Sequence, residues 1–369
     1  MRYTNEYDND KDSIDIYSMT RYEDISSRSK PRSHKKKKSK GKTFLKAISI
    51  MLICIIALGV GGYFAITKWV LPSYIDEHIN KEPLEYKEPE ELHIKTSQYA
   101  DVQNIALFGI DSRQDNSSGR SDAVIILTID KTHNKIKLTS IARDSYVEMD
   151  GRGHDKLTHA YAYGKSTLAV KTLNKNFDLE ITDYVTVNFY EFSRIIDYIG
   201  GVTIDVDKKE KDHLNNYIFP KLRKQTSLKC DDISKTGKQT LDGTQALCYA
   251  RIRKIDGDVE RGNRQKEVLM AMFNKVKKTS LSKLPKVVEM VLSECVTSMS
   301  SQDITDIGVW ALTSQPDMES LSIPNDVVKG KGKTIRGVWY YVYDIEAAKE
   351  EMKKFILEIQ PEPTQQPQQ

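Results

Sequence analysis

Four short clusters of arginine and aspartate stand out in this sequence as groups that could do chemistry. The first is Gly109-Ile110-Asp111-Ser112-Arg113, followed shortly by Arg120-Ser121-Asp122. Asp111 and Asp122 offer the hard carboxylate oxygens that Mg²⁺ prefers, with waters and a substrate phosphate completing its shell. Arg113 and Arg120 carry planar forks that hold phosphate oxygens two at a time. The second cluster is Ala142-Arg143-Asp144-Ser145. The third is Tyr249-Ala250-Arg251-Ile252-Arg253, whose two arginines point the same way if the segment is extended. The fourth runs from Asp258 to Gln265. On a helix starting at Asp258, Arg261, Arg264 and Gln265 share a face near the N-terminus, where anions bind readily. These residue types suit a metal-assisted phosphate site. Each cluster also has a plain structural reading: solvated ion pairs on polar loops, with Asp258 and Glu260 neutralising the helix arginines.

Positioning such side chains requires strands that end at the clusters. Val102 to Gly109 reads as an apolar strand, with the first cluster at its C-terminal end, where ligand sites of open α/β sheets lie. Ala123 to Ile129 has almost no polar position and predicts a strand covered on both faces. Lys135 to Ala142 alternates, as a strand with one open face does, and delivers Arg143. Further strands are expected at Tyr184 to Phe189, Val202 to Val206, Ser320 to Ile323 and Val338 to Tyr343. Helices are expected at Ser166 to Phe177 with Ser166 as N-cap, Tyr190 to Ile199, Leu241 to Ala250, Asp258 to Lys278, Ser282 to Val296 and Asp344 to Ile359. The interleaved order predicts one α/β domain, an α-β-α sandwich with a mixed central sheet.

The chain is 369 residues long, and its net charge of +4 is unevenly spread. Residues 1–46 hold 13 Lys and Arg against 7 Asp and Glu, whereas the remainder is slightly acidic. A general nucleic-acid binder would carry its positive charge on the folded part. Ala47 to Thr67 contains no charged residue and is long enough to cross a bilayer core. Ten Lys and Arg precede it from Arg28 to Lys46, so the N-terminus is expected in the cytoplasm and the bulk of the chain outside. The expected layout is therefore a basic disordered tail at 1–46, a transmembrane helix at 47–67, a stalk at 68–98, a catalytic domain at 99–359 and a low-complexity tail at 360–369. No ATP is available outside the cell, so a substrate there must bring its own activation.

Other signals are weak. If the extracytoplasmic domain holds a disulfide, Cys230 with Cys248 is one pairing; spacing does not establish it. Gly330-Lys331-Gly332-Lys333-Thr334 looks like the end of a phosphate loop, but Val327 stands where the first glycine is needed. His154 and His159 lack a third metal ligand nearby in sequence, and no zinc motif is present.

The stretches NIALFGIDSR, GRSDAVIILTID, LTSIARDSYVEM, KLTHAYAYG, YVTVNFYEF, IGGVTIDV, LDGTQALCYARIR and DVERGNRQ, in this order behind a span, resemble the LytR-CpsA-Psr family of cell-wall glycopolymer ligases of Gram-positive bacteria. The resemblance covers roughly residues 102–275. It implies an α-β-α sandwich whose apolar channel holds a polyprenyl pyrophosphate. It implies transfer of a glycopolymer phosphate, such as teichoic acid or capsular polysaccharide, from that carrier to peptidoglycan, with Mg²⁺ as cofactor. Carried over, Asp111 and Asp122 match the metal-associated acids. Arg113, Arg120, Arg143, Arg251, Arg253, Arg261 and Gln265 match the residues around the pyrophosphate, and Arg264 lies in the same motif. Arg143, Asp111, Arg251 and Arg253 are the implied catalytic set, with Asp111 or Asp144 as candidate general base. The chain departs from the common pattern at Ala142 for Pro, Thr158-His159 for Asn-Ala, Lys165 for Gly and Lys266 for Gln.

Such a carrier is already activated, and its transfer needs mainly positioning and charge stabilisation. Two other readings fit the same residues: a hydrolase of polyprenyl pyrophosphate, and a membrane-bound regulator or scaffold without turnover.

Overall fold

Hydrophobic alternation along two strands decides the architecture. Ala106 and Phe108 of β2 (Val102–Ile110) face one way, Ile105 and Leu107 the other, and both sets are covered. Its neighbour β3 (Ser121–Asp130) divides Val124 and Ile126 from Leu127 and Ile129 in the same manner. A computed structural model describes residues 66–86, 88–94, 99, 101–110, 119–225, 230–280 and 283–359. The described residues fall into two compact units: one within 205–239, the other within 66–204 and 240–359.

The larger unit is built on a seven-stranded mixed sheet. Its other strands are β1 (Asn80–Lys81), β4 (Lys135–Ile141), β7 (Asp183–Asn188), β8 (Cys295–Thr297) and β9 (Asp317–Ile323), in the order β1-β8-β7-β2-β3-β4-β9. The pairs β2–β3, β3–β4 and β7–β8 are antiparallel, and β1–β8, β2–β7 and β4–β9 are parallel. A short antiparallel hairpin, β5 (Tyr146–Met149) and β6 (Gly153–Lys156), stands beside the sheet, and so does a second, β10 (Lys331–Ile335) and β11 (Val338–Val342).

The helices of this unit are α1 (Leu71–His78), α2 (Leu157–Phe177), α3 (Phe189–Tyr198), α4 (Gly243–Ala250), α5 (Asp258–Lys277), α6 (Leu284–Glu294), α7 (Ser301–Ser314) and α8 (Ile345–Leu357). One sheet face packs on Ala169, Val170 and Leu173 of α2 and on Ala348, Met352 and Ile356 of α8. The opposite face meets Phe273 of α5 and Ile304, Ile307 and Trp310 of α7. The α-β-α sandwich with a mixed sheet is thus observed.

Several expectations need correction. Residues expected to form a stalk are packed: β1 is an edge strand of the sheet, and Leu84 and Leu92 belong to its core. The helix expected from Ser166 to Phe177 is present, but it follows a break at Gly164 and Lys165, which leave helical geometry, and a further helical stretch over 157–163 precedes it. Arg251 is the C-cap of α4 at φ −102° and ψ −2°, so it is not on an extended segment with Arg253. Cys230, Cys248 and Cys295 are buried and in no disulfide, so the Cys230–Cys248 bridge is not present. The rejection of a phosphate loop at Gly330-Lys331-Gly332 stands: Lys331 and Gly332 open the hairpin strand β10. The expected span at 47–67 lies almost wholly outside the described residues. Among those described, no helix is long and apolar enough to cross a membrane.

In the smaller unit, Asp207 and Glu210 cap the helix Lys208–His213 reciprocally. A π-turn (Leu214–Ile218) and the helix Phe219–Gln225 follow. The Asn215 amide exchanges two hydrogen bonds with Ile233, at 2.8 and 2.9 Å.

Candidate functional site

A β-bulge aims the first acid. Gly109 pairs with Ala123 and Ile110 with Ser121, so Asp122 has no partner of its own in β2. An extra residue of this kind turns its side chain out of the ladder, and bulges recur beside active sites for that reason. Asp122 meets Arg143, which leaves β4 on the neighbouring strand, in a close charge-assisted hydrogen bond. The backbone around them is fixed from α2: Thr158 accepts nothing here but donates its hydroxyl to Ser121 O at 2.9 Å and its N–H to Arg143 O at 2.9 Å. The Ala142 N–H donates to Ile323 O at 2.9 Å, a bond that a proline at this position lacks.

Around this pair a ring of charges closes. The Asp144 carboxylate is buried, with Lys156 Nζ at 3.0 Å, Arg253 Nη2 at 3.5 Å and Arg143 Nε at 3.6 Å. Asp258 opens α5 and lies 3.0 Å from Arg253 Nη2 and 2.8 Å from Arg261 Nη2. Arg261 also reaches Asp122 O at 3.4 Å. Burial alone would raise both carboxyls. At Asp144 the neighbouring Asp258, Arg143 and Lys156 outweigh burial and hold the group below the usual range. At Asp258 burial prevails against Arg261, and the Asp144 carboxylate adds to the rise. A proton entering this pair therefore goes to Asp258. Burial and the cations beside it, Arg143 first, pull the Arg261 guanidinium down to about 10.

The ring is not self-satisfied. Arg143 Nε, Arg261 Nε and both Asp258 oxygens are buried without an aligned hydrogen-bond partner. Native proteins rarely leave such groups unmatched, and donors aimed into a cleft fit an anionic ligand. The cleft is lined by Asp122, Arg143, Asp258, Arg261, Gln265 and Ser322.

Beyond Gln265 the surroundings turn apolar. A cavity of about 180 Å³ lies between the sheet residues Leu107, Ile125 and Val187 and the helix residues Ala250, Val268 and Met272. Gln265 and Ala123 line both the cleft and this cavity. A ligand with an anionic head and an apolar tail therefore finds both environments in continuity.

The expected site residues divide as follows. Asp122, Arg143, Arg253, Arg261 and Gln265 are brought together. Arg120 is exposed just before β3. Arg251 caps α4. Arg264 turns away from Arg261 and Gln265: it is buried, donates to Ile252 O at 3.2 Å, and forks onto Asp256. Its role there is to hold the loop before α5. Asp111 and Arg113 lie outside the described residues. Two members of the ring, Lys156 and Asp258 as a proton-holding acid, escaped the sequence reading. Asp258 was legible there only as a counter-charge, and Lys156 had no motif of its own.

Comparison with known proteins gives one consistent picture. Residues 70–356 match the LytR_cpsA_psr family. The chain is 32% identical to the polyisoprenyl-teichoic acid–peptidoglycan teichoic acid transferase TagU of Oceanobacillus iheyensis, over 86% of this chain and 93% of that one. It is 33% identical to the corresponding transferase TagT of Bacillus subtilis, over 83% and 92%. Among solved structures, the LytR-CPS2A-psr family protein YwtF (TagT) with bound octaprenyl pyrophosphate superimposes with a TM-score of 0.55 at 26% identity, covering 75% of this chain and 100% of that one.

Proposed function

Because the chain belongs to the LytR-CpsA-Psr family, we propose that it transfers a teichoic acid or related glycopolymer phosphate from a polyprenyl pyrophosphate carrier to a peptidoglycan sugar hydroxyl. The observation that carries this reading is the continuity of an under-satisfied arginine cleft with an apolar cavity through Gln265. Arg143 and Arg261 supply donors to the pyrophosphate oxygens, and the cavity takes the first isoprene units. The acceptor oxygen forms a bond to the phosphorus that bears the glycan, and the bond from that phosphorus to the bridging oxygen breaks. Polyprenyl phosphate leaves, and the acceptor hydroxyl loses its proton.

Asp144 suits that proton poorly, because three cations stabilise its ionised form. Asp111 is then the base of this reading. Mg²⁺ is its cofactor: Asp122 has hard oxygen donors for the ion, which when bound with waters and substrate phosphate would neutralise phosphate charge. In this reading the uncharged stretch 47–67 anchors the chain in the cell membrane, with its catalytic part outside.

The test incubates the full chain in detergent with a short-chain lipid-pyrophosphate disaccharide, uncrosslinked peptidoglycan and Mg²⁺. Mass spectrometry follows the products, with Asp122→Ala alongside. The expected product is a sugar–glycan phosphodiester that the variant does not form. Sugar phosphate and lipid phosphate alone would make the protein a hydrolase. Bound lipid without turnover would make it a binding protein.

A further inference from the structure

Next to the charge ring lies a second group of side chains that the transfer chemistry does not use. Its centre is Asp155 of β6. The Tyr163 hydroxyl donates to Asp155 Oδ2 at 3.1 Å, the His159 ring lies 2.9 Å from the same oxygen, and the Tyr340 hydroxyl donates to Oδ1 at 3.4 Å. Arg152 covers one face of Tyr163, 4.0 Å from its centroid. Tyr146 packs against His154 at 5.0 Å and edge-on to Tyr340 at 4.9 Å. Trp339 lies 5.9 Å from Tyr341 on the second hairpin.

Two of these rings face water: Tyr163 is 45% exposed and Trp339 is 40% exposed. The glycines of the Gly330-Lys331-Gly332 stretch explain how the second is held. A Cβ on Gly332 would stand 2.7 Å from Trp339 Nε1, and one on Gly330 would stand 2.6 Å from the Tyr341 ring. Bare backbone here lets the rings lie flat on the hairpin.

The link to the reaction centre is Lys156. Its ammonium is 3.0 Å from Asp144 and 5.9 Å from the ring centroids of both Trp339 and Tyr340. One side chain thus joins the charge ring to the aromatic group. Exposed rings interleaved with a carboxylate, imidazole and phenol hydroxyls suit a ligand that is neutral, rich in hydroxyls and apolar on its ring faces. Such a ligand stacks its C–H faces on the aromatic quadrupole and directs its hydroxyls to the polar groups between.

We propose that this face binds the acceptor glycan chain, with sugar rings on Trp339 and Tyr163 and hydroxyls towards Asp155 and His159. The proposal rests on the transferase reading, since the acceptor must end with one hydroxyl in the cleft, and Lys156 marks where the two surfaces meet. An aromatic protein partner is the other use of such a face. The carboxylate, imidazole and phenol hydroxyl gathered beside Tyr163 favour the sugar.

The test measures binding of uncrosslinked peptidoglycan oligosaccharides to the full chain in detergent by calorimetry. Wild type is compared with Trp339→Ala and Tyr163→Ala, and octaprenyl pyrophosphate binding is measured in parallel. Each variant should weaken the oligosaccharide about tenfold, the scale expected when a stacking ring is lost, with pyrophosphate affinity unchanged. Tyr163→Ala, on the surface of α2, keeps the test decisive should Trp339→Ala unfold its hairpin. Oligosaccharide binding equal to wild type in the variants, or absent in wild type, overturns the proposal. Failure of wild type to bind octaprenyl pyrophosphate would instead strike the transferase reading, so the two failures are separable.

Discussion

Lys266 lies in α5 with 3% of its surface exposed, and its ammonium donates to Leu321 O at 2.5 Å and to Ser322 Oγ at 2.6 Å. Among the described residues no carboxylate pairs with it. Burial therefore pulls its pKa from 10.5 down to about 8, against a weaker pull from Glu260. The sign follows from linkage. The folded state disfavours the protonated form, so the cost is complete below pH 8 and fades as pH rises towards the unfolded value. A shift of this size corresponds to about 3 kcal/mol. Lys266→Gln removes the charge and keeps a donor, with roughly 1 kcal/mol lost to poorer hydrogen bonds. The variant should then be more stable than wild type at pH 7 by about 2 kcal/mol, a rise in melting temperature of roughly 4–8 °C. Near pH 10.5 the advantage should vanish or turn slightly negative. Thermal melts of both proteins by circular dichroism at pH 7, 8.5 and 10 give the comparison. A difference of the same size at every pH, or a less stable variant at pH 7, would refute the reasoning and show that the fold compensates this ammonium.

Three further outcomes are expected. Arg143→Ala should lower glycopolymer transfer about 10²- to 10³-fold, as removal of one preorganised donor does, while the melting temperature stays near wild type; the mass-spectrometric transfer assay checks it. Ala250→Phe narrows the apolar cavity, so binding of a long-chain polyprenyl pyrophosphate should fall at least tenfold while a two-isoprene analogue binds as before, measured by calorimetry. Lys165 stands at φ +50° and ψ −148°, where glycine is favoured, so Lys165→Gly should raise stability by about 1 kcal/mol in denaturant titration; the exposed contact to Glu82 that it loses counts for little.

The sheet was legible because its central strands are long, near-continuous apolar runs, as in Val102–Ile110 and Ser121–Asp130. Short or mixed pieces were not. The hairpin Tyr146–Lys156 alternates over four residues a side, and its turn depends on Gly151 and Gly153 at φ +69°. Helix Ser301–Ser314 did carry a signal, Ser300 followed by Asp303, whose N–H donates to Ser300 Oγ at 3.1 Å. The arginines of the site were legible through the family motifs, but not their partition. Arg261 and Arg264 read alike in sequence, and Asp256 and the Ile252 carbonyl in the preceding loop draw Arg264 away. Lys156 enters the ring through tertiary contact with Asp144, which no local pattern announces.

The bulge that presents Asp122 has an evolutionary side. Because this residue is surplus to the ladder, neither neighbouring strand depends on its side chain for register. Its chemistry can be exchanged while the sheet keeps its pairing, so selection on the reaction and selection on folding act here on separate handles. A lineage could retire or retune this acid in one substitution and keep a folded, lipid-binding protein, a short path from transferase to carrier-binding relative.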